Sequence, residues 1–579
     1  MRPMNMKNAI TKTQLLVALT VAVALLLTPA AFAAAPGMTS TAGTAGTFNL
    51  TAQQAYLNQP DGEAVYSWGY GCVTGSAPAF VPAVIAGAVC NTMQVPGPTM
   101  VVTEGATVTI NLTNNLPTAA GNTSILFPGF NLSTTSCSPT TLPAGVQQGL
   151  LTCEAAPGGT VTYTFVASAP GTHAYYSGTQ GDLQIEMGLY GAIIVLPTAP
   201  PANCAASVTN LYGKSDFGTA NGYPGFPEKD FRLSTAAYDH PKSCYDREYL
   251  FQWAEMDSRI HRQALAQVQA KSGCTAGANG CSLDVQTEPY HPSYFLINGR
   301  SMPDLMDPNY ASEYPHQPYN GNPHMHPGEQ TLIRTIGQGR WQHPFHEHAN
   351  HVRILARDGN LILSPTNPTT SLAGILMFNT DTTPGESFDG IFYFSGRGLN
   401  WDPYGHHPGP DVGTSPDATG NPGNDPLAHL SCTPDANGYN TGTTSALNYY
   451  EWCQDHNKPV QVNPFGDVPA GGPATLPDPN VLTNGQWYGG TPYFGPDASL
   501  RASMPTCVST AGTGAATPGT NCTTLLPSNT QANPASERGW AFMWHSHNER
   551  EITTNNVFPG GMLMMMLVDS REFAIDESQ

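Results

Sequence analysis

Twice along this chain the same series of strand and turn signals comes round. Met100-Val101-Val102-Thr103 and Thr107 to Leu112 are β-branched runs parted by Glu104-Gly105. Val161 to Phe165 alternates apolar and polar after Pro157-Gly158-Gly159, and Ala192 to Leu196 is an apolar closing run. Later, His326-Pro327-Gly328-Glu329 leads into Thr331 to Ile336, Pro384-Gly385-Glu386 precedes Phe388 to Phe394, and Gly560-Gly561-Met562 opens a run to Val568. Period-two alternation buries one face of a strand and cannot place the same residues on one face of a helix. A half-buried strand needs a sheet, and a sheet needs a second layer over its apolar face. The expected fold is therefore all-β: two copies of one β-sandwich, over about 36–200 and 201–579. The second copy is longer because about 400–536 is crowded with Gly, Pro, Asn and Asp, holds four cysteines and lacks strand periodicity. That stretch reads as a loop-rich insertion or as a third, degenerate domain. Helical spacing of apolar residues predicts one helix around Ser258 to Lys271, as decoration between strands.

The first 33 residues read as a leader rather than as part of the fold. Arg2, Lys7 and Lys12 give a basic start, Leu15 to Leu27 an apolar run, and Ala31-Phe32-Ala33 small residues for cleavage near Ala33. The run is shorter than the roughly 18–20 residues a spanning helix requires. Secretion, periplasmic or extracellular, is the expectation. Twelve cysteines in sequence-local couples agree with export: 72/90, 137/153, 204/244, 274/281, 432/453 and 507/522, none with a CxxC spacing. Neighbour pairing into disulfides is the reading, although sequence does not fix connectivity. The chain carries −20 formal charge, and about −23 without the leader. Such a surface repels nucleic acid and anionic membrane, so neither is expected as a partner.

Chemistry concentrates in the histidines. Seventeen are present, and His343, His346, His348 and His351 crowd one short segment, while His545 and His547 sit far downstream. Residues two apart on a strand share a face, so His346/His348 and His545/His547 each present two imidazoles side by side. Neighbouring strands would put four nitrogens around one cavity, and neutral imidazole suits copper, zinc, iron and nickel. His324 and His326 precede a turn, and His406 and His407 lie in the insertion; these read as solvated. Met562, Met564, Met565 and Met566 could offer soft thioethers, but alternation in a closing strand assigns half of them to the core.

His343-Pro344-Phe345-His346-Glu347-His348 resembles the His-Pro-x-His-x-His motif of multicopper oxidases. His545-Ser546-His547 followed by Gly561-Met562 is similar to that family's last motif, and Val95-Pro96-Gly97-Pro98-Thr99 and Gly188-Leu189-Tyr190-Gly191 fit the wider frame. The resemblance implies cupredoxin-like Greek-key domains and oxidation of substrates one electron at a time, with a blue copper feeding a three-copper cluster that reduces O2 to water. The departures are as telling. Ser546 stands where the blue copper needs a cysteine, and Glu551 where a histidine is expected. Leu126-Phe127-Pro128-Gly129 and Tyr175-Tyr176-Ser177-Gly178 fill the places of the first two histidine motifs without a ligand. The resemblance thus leaves His346, His348, His545 and His547 as ligands, with His343 at a blue-copper position that lacks its cysteine partner. A full four-copper set is ruled out; copper, one ion or two, is the expected cofactor, with zinc the other candidate. Glu347, Glu549 and Glu551 could orient rings or add a carboxylate.

Three functional readings follow: an oxidoreductase with a reduced copper set acting on a small molecule or a metal ion, a copper-binding or buffering protein without turnover, and a structural or interaction module. Two-domain relatives assemble as trimers with copper between subunits, whereas here all candidate ligands lie in one copy, so a homo-oligomer is allowed and not required.

Overall fold

A computed structural model describes residues 35–81, 85, 87–133, 142–198, 200–202, 204, 236–325, 329–394, 539–569 and 575, with strand pieces at 486–487, 490–493, 506–509 and 522–526. The leader, most of the insertion, His326, His406, His407 and the cysteines at 137, 432 and 453 lie outside the described residues.

The strand signals become two pairs of packed sheets. The first sheet runs, in spatial order, β8-β9-β5-β1-β4, from β1 (Gly37–Ser40), β4 (Ala79–Val81), β5 (Met100–Thr103), β8 (Gly171–Tyr176) and β9 (Tyr190–Leu196). Over it lies β3-β2-β6-β7, from β2 (Thr47–Asn58), β3 (Ala64–Cys72), β6 (Thr107–Asn114) and β7 (Thr160–Val166). Val108, Ile110 and Leu112 of β6 and Val161, Tyr163 and Phe165 of β7 turn inward in strict alternation and meet Met100, Tyr175, Ile193 and Val195.

The third sheet is β11-β10-β13-β18-β15-β16: β10 (Arg247–Met256), β11 (Tyr294–Ile297), β13 (Gln330–Gly337), β15 (Val352–Arg357), β16 (Asn360–Leu361) and β18 (Ser387–Tyr393). Facing it is β12-β20-β19-β14-β17: β12 (His324–Met325), β14 (His343–Glu347), β17 (Asn379–Thr382), β19 (Gly539–Ser546) and β20 (Leu563–Asp569). Phe251, Trp253, Ile333 and Phe388 on one side close a core with Phe345, Trp544, Met564 and Met566 on the other.

The internal repeat is visible in the pairing. In the first half β2–β6 and β5–β9 are parallel while β6–β7 and β8–β9 are antiparallel. In the second, β10–β13 and β12–β20 are parallel while β13–β18 and β19–β20 are antiparallel. The turns that open β7 and β18 both place glycine in left-handed backbone, Gly158 at φ 76° and Gly385 at φ 82°, where a side chain would be strained.

Two features differ from what alternation suggests. The helix α1 (Ser258–Ala270), capped by the Asp257 carboxylate accepting from the Arg259 amide at 2.9 Å, is not decoration. Its Ile260 and Ala264 complete the first core. Sheet three is also buried on both faces, because the first half covers what would be its solvent side; Val101, Ala174 and Ile194 pack there with Leu250 and Ile336. Charges on that side are consequently buried and paired. Arg334 binds Glu248 and lies 3.5 Å from Asp389, donates to Thr172 Oγ1 of β8 at 2.9 Å, and Thr172 donates to Asp389 at 2.6 Å.

Disulfides join Cys72 to Cys90, Cys204 to Cys244 and Cys274 to Cys281, as neighbour pairing anticipates. No helix of the described residues is long and apolar enough to cross a membrane.

Arg334→Leu would leave Glu248 and Asp389 buried without the cation that faces both. Removing one partner of such a cluster costs roughly 3–5 kcal/mol. A large fall in the thermal and denaturant midpoints is expected, and a change below about 1 kcal/mol would contradict the pairing.

Candidate metal centre

The site is a consequence of one register. β14 and β19 run antiparallel with Phe345 opposite Ser546, His346 opposite His545 and Glu347 opposite Trp544. Phe345 and Trp544 face the core, ring centroids 6.0 Å apart, so the histidines between them face away from it. The backbone keeps the strands together past the ladder: the His547 amide donates to the Pro344 carbonyl at 2.8 Å, and the His348 amide to the Met543 carbonyl at 3.2 Å. Trp544 Nε1 reaches from the core to the His348 carbonyl at 3.1 Å, fixing the point where β14 ends.

Four rings gather on that outer face. From His346, the ring centroids of His348, His547 and His545 stand at 4.8, 4.8 and 5.4 Å. His348 lies 5.3 Å from His545, with the two Nε2 atoms 3.3 Å apart. Burial grades across the group: His346 and His545 are buried, His348 is intermediate and His547 exposed. Burial, followed by the neighbouring imidazoles of His348, His545 and His547, lowers the His346 pKa to about 4. Burial lowers His545 as well, against a bond to the Ser546 carbonyl. Burial, with crowding, thus favours the neutral form of His346 and His545, which offers a lone pair.

The donor set fits a transition-metal ion. One ligand nitrogen from each of His346, His348 and His545 falls within 4.8 Å of the others. Nitrogens bound at about 2.0 Å stand at most about 4 Å apart across one ion, so a small closure of the side chains suffices.

His343 does not join them. It is three residues from His346, and a period of two therefore puts it on the inward face with Phe345. There both ring nitrogens are engaged: Nδ1 with Glu551 at 2.9 Å and Nε2 with Glu255 at 2.8 Å. Burial opposes the charge, but these two carboxylates raise its pKa to about 9, which favours the imidazolium. His343 therefore stands apart from the four-histidine group, on the same side as Ser546.

The remaining candidates separate cleanly. Glu347 points away from its flanking histidines as alternation requires, but it is buried beside Thr380 Oγ1 at 3.3 Å, and burial raises its pKa well above the usual carboxylate range. Glu549 is exposed. His351 lies edge-on to Phe378 at 5.1 Å and His324 sits on β12, two strands from β19. Met562, Met564 and Met566 pack in the second core. In the first half, Leu126 bridges Tyr176 where the second half pairs His346 with His545, so the equivalent position holds no ligand. Glu255, missed in the sequence, is an acid on the inward parity of Tyr249, Phe251 and Trp253, the one signal that could have exposed it.

His343 gives a pH signature. Its folded pKa of about 9 exceeds its ordinary value of 6.5. The stability it contributes is therefore complete below about pH 6.5 and lost as pH climbs through about 9. The difference in unfolding midpoint between the natural protein and His343→Gln should shrink over that window; a difference that grows toward alkaline pH would refute the assignment.

Comparison with known proteins bears on the other half of the chain. A family model described as multicopper oxidase matches residues 85–200. An L-ascorbate oxidase of Brassica rapa subsp. pekinensis is 35% identical over 102 residues, which span 18% of this chain and only 16% of that protein. Among solved structures, a blue copper oxidase from Nitrosomonas europaea is 19% identical, with 61% of this chain and 77% of that chain covered and a TM-score of 0.35. A copper nitrite reductase from Nitrosomonas europaea is 20% identical, covering 60% and 84%, with a TM-score of 0.34. The similarity to multicopper oxidases thus lies in residues 85–200 of an all-β chain that has serine at 546 and no histidine in 126–129 or 175–178.

Proposed function

We propose that His346, His348, His545 and His547 bind copper, and that the protein is a secreted oxidoreductase working with this reduced copper set. The register pairing His346 with His545, which gathers four imidazoles on one face, carries the reading. An all-nitrogen donor set favours copper over the other first-row divalent ions, zinc being the competitor where availability decides. Copper, when bound, supplies one-electron chemistry toward a small reductant, a metal ion or dioxygen. The chain supplies the rest. His346 and His545 hold from the buried side, His348 closes the group, and exposed His547 marks the side from which a small molecule approaches. Phe378, half exposed and edge-on to His346 at 5.8 Å, forms an apolar rim there.

Ser546 lies on the core side, with its hydroxyl bound to Glu551. A serine oxygen cannot provide the soft sulfur bond of a blue copper, so electrons would enter at the histidine group itself. The same absence favours a second reading, copper binding without turnover. We further read the chain as two cupredoxin-like domains, 36–200 without ligands and 201–579 with them, exported behind the leader.

Metal analysis and electron paramagnetic resonance of the purified protein test this directly. A type 2 copper signal without a blue-copper signal is expected, and His545→Ala should weaken copper affinity on the order of 100-fold or more, since even groups behind a ligand are worth 10–100-fold. Copper-loaded protein should oxidise a phenol or a reduced metal ion faster than the His545→Ala/His547→Ala double variant. Tight copper binding with equal rates would select the binding protein, and no copper binding would end both readings.

A further inference from the structure

Behind the four histidines, on the core side of β14 and β19, runs a continuous line of buried polar groups that metal ligation leaves unused. It begins at Glu186, just past the helical turn Gly181–Gln184 of the first half. Glu186 Oε2 accepts from the Tyr290 hydroxyl at 2.6 Å, and the same hydroxyl lies 3.1 Å from Glu255 Oε1. Glu255 Oε1 also accepts from the amides of Arg340 and Trp341 at 2.7 and 2.8 Å, while its Oε2 takes His343 Nε2. His343 Nδ1 continues to Glu551 Oε2, which also receives the Ser546 hydroxyl, and Asn548 Nδ2 donates to Glu551 Oε1 at 2.9 Å. Ser546 is the residue between His545 and His547.

Every charged member of this line is at most 1% exposed. Burying charges is costly unless partners are fixed in good geometry, and a fully satisfied buried network selects one arrangement of the elements that carry it. Here those elements are the ones that must agree for a metal pocket to exist. Glu255 lies on β10 in sheet three, His343 on β14 in the facing sheet, and Glu551 in the turn after β19. The His343 imidazolium is thus a charged cross-tie through the sandwich, and the Glu551 backbone fastens the same turn through its amide to the Asn548 carbonyl at 2.8 Å and its carbonyl to the Met562 amide at 2.8 Å.

We propose that Glu255, His343 and Glu551 are positioning residues that set the spacing of the His346/His348 and His545/His547 pairs from behind, and that Tyr290 and Glu186 extend this control into the first half of the chain. The proposal rests on the metal pocket for its function but not for its geometry, and the two are tested separately.

Glu551→Gln keeps the shape and removes the charge opposite His343. In this variant, and in His343→Gln, added Cu(II) should bind about 10–100-fold more weakly, the range for groups that orient ligands, and its paramagnetic resonance parameters should shift. Tyr290→Phe should shift them in the same direction by less, and its effect should be non-additive with Glu551→Gln. Glu248→Gln, in the equally buried Arg334 cluster, should lower the unfolding midpoint and leave the Cu(II) spectrum unchanged. Folded Glu551→Gln and His343→Gln proteins with the natural affinity and spectrum would overturn the proposal. Metal-free hydrogen exchange reads the geometry alone: the amides of Glu347, His348 and His547 should lose protection in Glu551→Gln well beyond those of β6 and β7. Uniform exchange would overturn it too. Should the natural protein take up no Cu(II), the copper reading fails, while the exchange result still decides the cross-tie.

Discussion

The pairing of β14 with β19 at the register His346 opposite His545 is the contact on which the gathering of the four histidines depends. A slip of one residue would turn the imidazoles into the core and drive Phe345 and Trp544 into solvent. The register is therefore set by the large apolar side chains behind it, not by the histidines. Trp544 is fully buried among Phe251, Phe345 and Phe392, and its indole nitrogen is tied to the end of β14. The pocket is the outward expression of a well-packed inner face, the usual relation between a rigid scaffold and a site grafted onto it.

Much of this was legible in the residues because it rests on a period of two. The strands around Val108, Val161, Ile194, Ile333 and Phe388 announce themselves by alternation, and the repeat tells which strands correspond. The same parity brings His346 and His348 to one side and His545 and His547 to another before any coordinates exist. It also sets His343, three positions from His346, on the opposite face, the side that Ser546 shares.

What escaped the sequence lies where burial is decided by distant chain. Glu248 and Arg334 look like solvent-facing residues of half-buried strands, and they become an internal ion cluster only because β8 covers them. Nothing local to β10 or β13 signals that cover. The line from Glu186 to Ser546 is hidden for a similar reason: its members come from five separated segments, and its acids, tyrosine and serine each read alone as ordinary surface residues. His343 and Ser546, far apart in the chain, are joined through Glu551, which hydrogen-bonds to both.

The grading of burial across the four rings gives the pocket a direction. Its floor is a hydrogen-bonded sheet backed by aromatic side chains, and of the four rings His547 is the most exposed. A reagent that acylates imidazole would mark His547 first, His348 next, and His346 and His545 last, an ordering that the strand ladder beneath them imposes and that a set of histidines on flexible loops would not keep.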